Sequence, residues 1–166
     1  MRMFTGTPER RLGGLWACLA LALGGCAAPL AIAQAPAAGI TGITLERDCF
    51  GCPDAFVLVL RRDGTATYTV KGNARQGTQD AVSKGSVRAE DFDKLAQLVM
   101  AQGFFTLSDS YEDPQVRDGP WATASVTRGG VAKQVFSRDE AGPSALKAVL
   151  AGIEALKARI TFVQQR

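Results

Sequence analysis

The sequence predicts an α+β domain: an antiparallel sheet built from hairpins, with two helices packed on one face in the order ββββ-α-ββ-α. Three observations point there. Short β-branched and apolar runs are punctuated by Asp63-Gly64 and Gly129-Gly130, which are hairpin turn signals. Phe92, Leu95, Ala96 and Val99 recur at helical spacing. A second stripe of Leu146, Val149, Leu150, Ile153, Leu156 and Ile160 does the same near the C-terminus. Strands followed by single helices place both helices over one sheet face.

The elements follow in order. Residues 40–47 alternate, with Ile43 and Leu45 on one face. Residues 55–61 form a strongly apolar strand, and 65–70 return from the Asp63-Gly64 turn as a β-branched and aromatic one. Residues 72–77 are expected to be a loop and 81–87 a short polar strand. A helix is predicted over 89–102, stopped by Gly103. Phe104, Phe105 and Leu107 should fold back under the sheet, and 108–120 read as a polar, acidic loop. Strands over 122–127 and 131–137 flank Gly129-Gly130, and Pro143 opens the last helix.

The chain has 166 residues, and its first 25 have the composition of an export signal. Arg2, Arg10 and Arg11 make a positive leading region, and about 12 mostly apolar residues from Leu12 to Leu23 follow, a run too short to span a bilayer. Leu23-Gly24-Gly25-Cys26 then resembles a bacterial lipobox, in which the Cys26 thiol carries a diacylglycerol. Ala27 in place of an aspartate favours the outer membrane, facing the periplasm. The competing expectation is cleavage after Ala31-Ile32-Ala33, releasing a soluble periplasmic or secreted chain that begins at Gln34. The expected organisation is therefore a signal peptide over 1–25, an Ala/Pro-rich tether over 26–39 and one domain over 40–166. At roughly 3 Å per extended residue the tether reaches about 40 Å.

Composition narrows the chemistry. Of the net charge of +3, the signal holds +2, which argues against nucleic acid as a partner. There is no histidine, so Ser-His-Asp and Cys-His catalysis and the common zinc sites are excluded. No cofactor and no metal are expected.

Cys49-Phe50-Gly51-Cys52 is the sharpest motif. A redox pair wants its first cysteine at a helix N-terminus, whereas this pair lies between two strands. Zinc would need two further soft ligands. A disulfide closing the turn is the preferred reading in an oxidising compartment.

Ser144-Ala145-Leu146-Lys147 matches S-x-x-K, but the companion elements of penicillin-recognising enzymes are missing, and a serine is favoured at a helix start anyway. Asp109, Glu112, Asp113 and Asp118, with Arg117 among them, lack the spacing of a calcium loop and read as a solvated face. Arg61, Arg62, Lys71 and Arg75 read likewise. Tyr111, Asp113 and Trp121 are the candidate partner-contact residues, with core packing the competing expectation for Trp121.

The run from Ile43 to Pro53, with Cys49-Phe50-Gly51-Cys52-Pro53 as its centre, resembles the opening of an uncharacterised bacterial family, domain of unknown function 6438. Phe56 to Leu60, Asp63-Gly64-Thr65, Phe92 with Leu95, Gly103-Phe104-Phe105 and Asp118 continue the resemblance over roughly 40–160. The family's turn usually holds three residues between the cysteines, and this one holds two. The resemblance implies fold and envelope location and no reaction. The expectation is thus an outer-membrane lipoprotein acting as a non-catalytic binding module, with another envelope protein, a protease or peptidoglycan as partner. The rivals are a thiol-disulfide protein using Cys49 and Cys52, or a small hydrolase built on the acidic loop.

Overall fold

The structure is a computed structural model that describes residues 39–49, 52, 54–116 and 118–166, the side chain of Ala74 excepted. Cys26, the signal and the tether up to residue 38 lie outside the described residues, as do Phe50, Gly51, Pro53 and Arg117. The first four strands form a meander: β1 (Ile40–Asp48), β2 (Phe56–Arg61), β3 (Thr65–Val70) and β4 (Ala81–Ser86), each antiparallel to the next. Helix α1 (Ala89–Ala101) follows, then a single 3-10 turn (Phe104–Thr106) and a two-residue strand, β5 (Ser110–Tyr111). The hairpin of β6 (Trp121–Arg128) and β7 (Val131–Arg138), helix α2 (Ser144–Lys157) and a terminal β8 (Val163–Gln164) complete the chain. The spatial order of the eight strands is β5-β7-β6-β1-β2-β3-β4-β8.

The sheet is mostly antiparallel, with one exception: β5 runs parallel to β7. Neither β5 nor β8 is predicted by the sequence pattern, in which the second helical stripe runs to Ile160. The helix instead ends at Lys157, where the N–H groups of Arg159 and Ile160 turn back to Leu156 and Lys157 in a tightened last turn. Ile160 still packs against the core. The expected loop over 72–77 holds a 3-10 turn (Ala74–Gln76).

Local chemistry explains the turns. Asp63 Oδ1 accepts from both the Thr65 N–H (2.9 Å) and its hydroxyl (2.7 Å), while Gly64 takes φ 90°. In β1, both Ile40 and Ile43 are fully buried although their numbers have opposite parity. A bulge between Ile40 and Gly42 absorbs the extra residue and keeps both side chains on the core face.

That core face carries Ile43, Leu45, Leu58, Leu60, Ala124, Val126 and Val135. Against it lie Phe92, Leu95, Ala96 and Val99 of α1 and Leu146, Val149, Leu150, Ile153 and Leu156 of α2, in one continuous cluster. Phe104 is fully buried at the end of α1, which closes the core there. The opposite face is a row of half-buried β-branched residues, among them Thr44, Val57, Val59, Thr67 and Thr123. Among the described residues no helix is long and apolar enough to cross a membrane.

The chain leaving α2 crosses β4 at Gly85. A Cβ built there would stand 2.6 Å from Ile160 Cγ2 and 2.8 Å from the Thr161 carbonyl oxygen. Gly85→Val should therefore cost about 1–3 kcal/mol in urea unfolding. Gly42→Ala, whose new methyl would meet Thr127 Oγ1 at an ordinary 3.7 Å, should stay within about 0.5 kcal/mol of wild type or gain stability. Equal costs at the two positions would contradict the close crossing.

Candidate functional site

The cysteine turn is built by the end of β1. Asp48 Oδ1 accepts from the Cys49 N–H at 2.7 Å, and the Cys49 carbonyl accepts from Cys52 N–H at 3.3 Å. Cys49 and Cys52 are disulfide-bonded with Cα atoms 5.4 Å apart. Cys49 is half-buried and Cys52 exposed. The next described element is β2, so among the described residues no helix N-terminus follows to stabilise a thiolate. The bridge closes the β1–β2 connection beside the pair Arg47 and Phe56, where it fixes register.

The three candidate contact residues are not brought together. Tyr111 stands opposite Ser137 on the helix-covered side, its ring 3.2 Å from where a Gly142 Cβ would lie, and its hydroxyl accepts from Ser108 N–H at 3.0 Å. Trp121 lies on the other face, 5.9 Å from the Phe136 ring, and is half-buried outside the core cluster. Strand parity separates them: both side chains come from positions that point to opposite sides of one sheet. Asp113 is exposed and accepts from the Gln115 N–H at 2.8 Å, which shapes the loop. The neighbouring acids are partly neutralised, Asp109 by Lys133 and Glu112 by Arg138. Among the described residues no group of three potential metal ligands forms.

A groove of about 240 Å³ opens where β1, β6, β7 and α2 meet. Its walls include Ala122, Trp121, Leu150 and Ala151, and its charged members are Arg47, Glu140 and Lys147. Arg47 is committed elsewhere: its Nε stands 2.8 Å from Glu154 Oε1, buried and without the alignment of a hydrogen bond. Glu154 is also held by Lys157 at 2.8 Å, whose ammonium sits 4.0 Å over the Phe56 ring. Glu140 and Lys147 have no such partners among the described residues. The motif residue Ser144 is exposed at the start of α2 and is not part of the groove wall.

Glu140 reaches the groove from a strained turn. Asp139 and Glu140 have φ values of 50° and 55°, a left-handed pair closed by the Ala141 N–H donating to the Arg138 carbonyl at 3.0 Å. Each costs on the order of 1 kcal/mol for a residue with a Cβ. Nothing in the sequence marked this turn, because neither residue is a glycine or an asparagine.

The perturbed ionisable groups lie away from the groove. Asp91, in the first turn of α1, is buried between Arg88 (2.7 Å) and Arg159 (3.2 Å), and so ties α1 to the segment after α2. The Arg88 hydrogen bond, aided by the Arg159 charge and opposed by burial, holds its carboxyl below the ordinary range. Asp80 is lowered by Lys71 and by the Gly72 N–H, Glu90 by Lys94, and Asp63 by Thr65. These carboxylates stay charged near neutrality and act as staples.

Fold and site together define a small α+β domain with a cystine-closed first strand connection and a groove beside the first half of its second long helix. The chain belongs to the family described as domain of unknown function (DUF6438), whose model matches residues 41–157. No curated protein matches it in sequence.

A lowered carboxyl contributes stability above its unfolded pKa, and that contribution is lost as the pH falls through the folded value. Asp91→Asn should therefore unfold at lower urea than wild type at pH 7, with the gap closing as the pH drops below the ordinary 3.8. A gap of constant size from pH 7 to pH 2 would show that the charge of Asp91 contributes nothing.

Proposed function

We propose that the protein is an envelope lipoprotein, anchored to the outer membrane through Cys26 and facing the periplasm, whose domain is a non-catalytic binding module. The observation that carries the anchor is the sequence Leu23-Gly24-Gly25-Cys26 directly after a charged and then apolar leader, followed by an Ala/Pro-rich tether. Support for the module comes from the division of charge within the domain. Its perturbed carboxylates are spent on ion pairs and turns, while Glu140 and Lys147 border an apolar groove with no partner of their own among the described residues.

The second reading, a thiol-disulfide protein, draws on one specific observation: Cys52 is an exposed residue, and thiol-disulfide exchange requires access for an attacking thiolate. The position of the pair between two strands favours a structural role. In the chain-entropy account so small a loop stabilises by only about 2 kcal/mol, so Cys49→Ser should lower stability by about that amount and leave partner binding intact.

Intact mass of the protein from its native host, in membrane and soluble fractions and alkylated before and after reduction, tests both. The expected result is a membrane form that begins at Cys26, carries acyl chains and reacts with alkylating agent at Cys49 and Cys52 only after reduction. A soluble form beginning at Gln34 would overturn the anchor. A Cys49 that alkylates without reductant would overturn the structural disulfide.

A further inference from the structure

We propose that the groove between β1, β6, β7 and α2 binds a small zwitterion with an apolar side chain, a free amino acid or a dipeptide; this deepens the binding-module reading and rests on it. Three observations converge on that class. The first is size: about 240 Å³ lies below the roughly 300–1,000 Å³ typical of pockets for larger ligands and matches one or two residues of peptide. The second is the wall, in which Ala122, Leu150 and Ala151 offer apolar surface to a side chain. The third is charge. Glu140 and Lys147 carry opposite signs on the same groove, yet they do not pair with each other or with any other described residue.

Both groups are exposed, so water solvates whichever charge a singly charged ligand leaves unengaged, and only a ligand of both signs engages the two together. An ammonium directed to the Glu140 carboxylate and a carboxylate directed to the Lys147 ammonium satisfy both. Arg47, already held by Glu154, adds positive field at the carboxylate end without being the primary partner. A polyphosphate is a poor match, because Lys147 is the one cation of the groove left without a described partner and Glu140 repels it.

The left-handed backbone at Glu140 supplies an independent handle. A glycine or asparagine would be easier there, so the turn tolerates strain while presenting a carboxylate. Glu140→Gly removes the carboxylate and relieves the turn, so the variant should unfold at the same or a higher temperature than wild type. Lys147→Met removes the charge from an exposed helical position and keeps the apolar stem.

The experiment is isothermal calorimetry on the full chain in detergent, with leucine, phenylalanine and leucyl-leucine as probes, and with N-acetyl-leucine and leucinamide as singly blocked forms. Wild type should bind at least one zwitterion saturably. Affinity should fall about tenfold or more on blocking either terminus, and also in Glu140→Gly and in Lys147→Met, while neither variant unfolds at a lower temperature than wild type. No saturable binding of any zwitterion up to about 10 mM, or blocked forms that bind as well as their parents, would overturn the inference. An acylated, membrane-anchored protein that binds no zwitterion would sink the groove alone. A soluble, unacylated protein that binds one would sink the anchor alone.

Discussion

Everything in this domain depends on β1 being the inner strand that joins two otherwise separate pieces. It pairs with β2 on one side over Gly42 to Arg47 and with β6 on the other over Ile40 to Asp48. Without it the sheet would part into β2-β3-β4-β8 on one side and β6-β7-β5 on the other. Its burial is the corresponding energetic fact: Ile40, Ile43 and Leu45 are fully buried. Each such side chain contributes about 1.5–3 kcal/mol on leaving water. The bulge after Ile40 is what lets three side chains of mixed parity share that face.

The same strand places the groove. Arg47, near the end of β1, projects to the helix side and meets Glu154 of α2, which ties the far half of that helix to the sheet. The β7–α2 connection must then turn within a few residues, and it does so through Asp139 and Glu140 in the left-handed region. Asp139 N–H donates to the Pro120 carbonyl at 2.8 Å, and Ser137 Oγ donates to the Ala141 carbonyl at 2.6 Å, so the turn is held from both ends. The strain is therefore carried by surrounding hydrogen bonds, and its product is a carboxylate set at the rim of an apolar groove.

Much of this architecture was legible in the chain. Asp63-Gly64-Thr65 announced its hairpin because Asp63 bonds to Thr65 locally, and the α1 stripe of Phe92, Leu95, Ala96 and Val99 is buried as its spacing implied. The two-residue strands β5 and β8 were not, since two residues carry no period and their pairing is set by tertiary contact. Tyr111 and Trp121 were grouped by nearness in sequence, whereas the sheet sends them to opposite faces. Lys147 attracted notice through the S-x-x-K spacing, a different chemistry from the one its surroundings suggest. Glu140 attracted none, because left-handed backbone at a glutamate leaves no mark in composition, and a groove assembled from four separated elements leaves no motif.

Native-state hydrogen exchange along β1 reports whether that strand holds the two parts of the sheet in one cooperative unit. If β1 unites the domain, its amides over residues 43–47 exchange only by global unfolding, at the same free energy as the buried turns of α1 and α2. If β1 exchanges by a cheaper opening than β2 and β3, or if the β6–β7 hairpin opens independently of the meander, the two halves are separate cooperative units and the account is wrong.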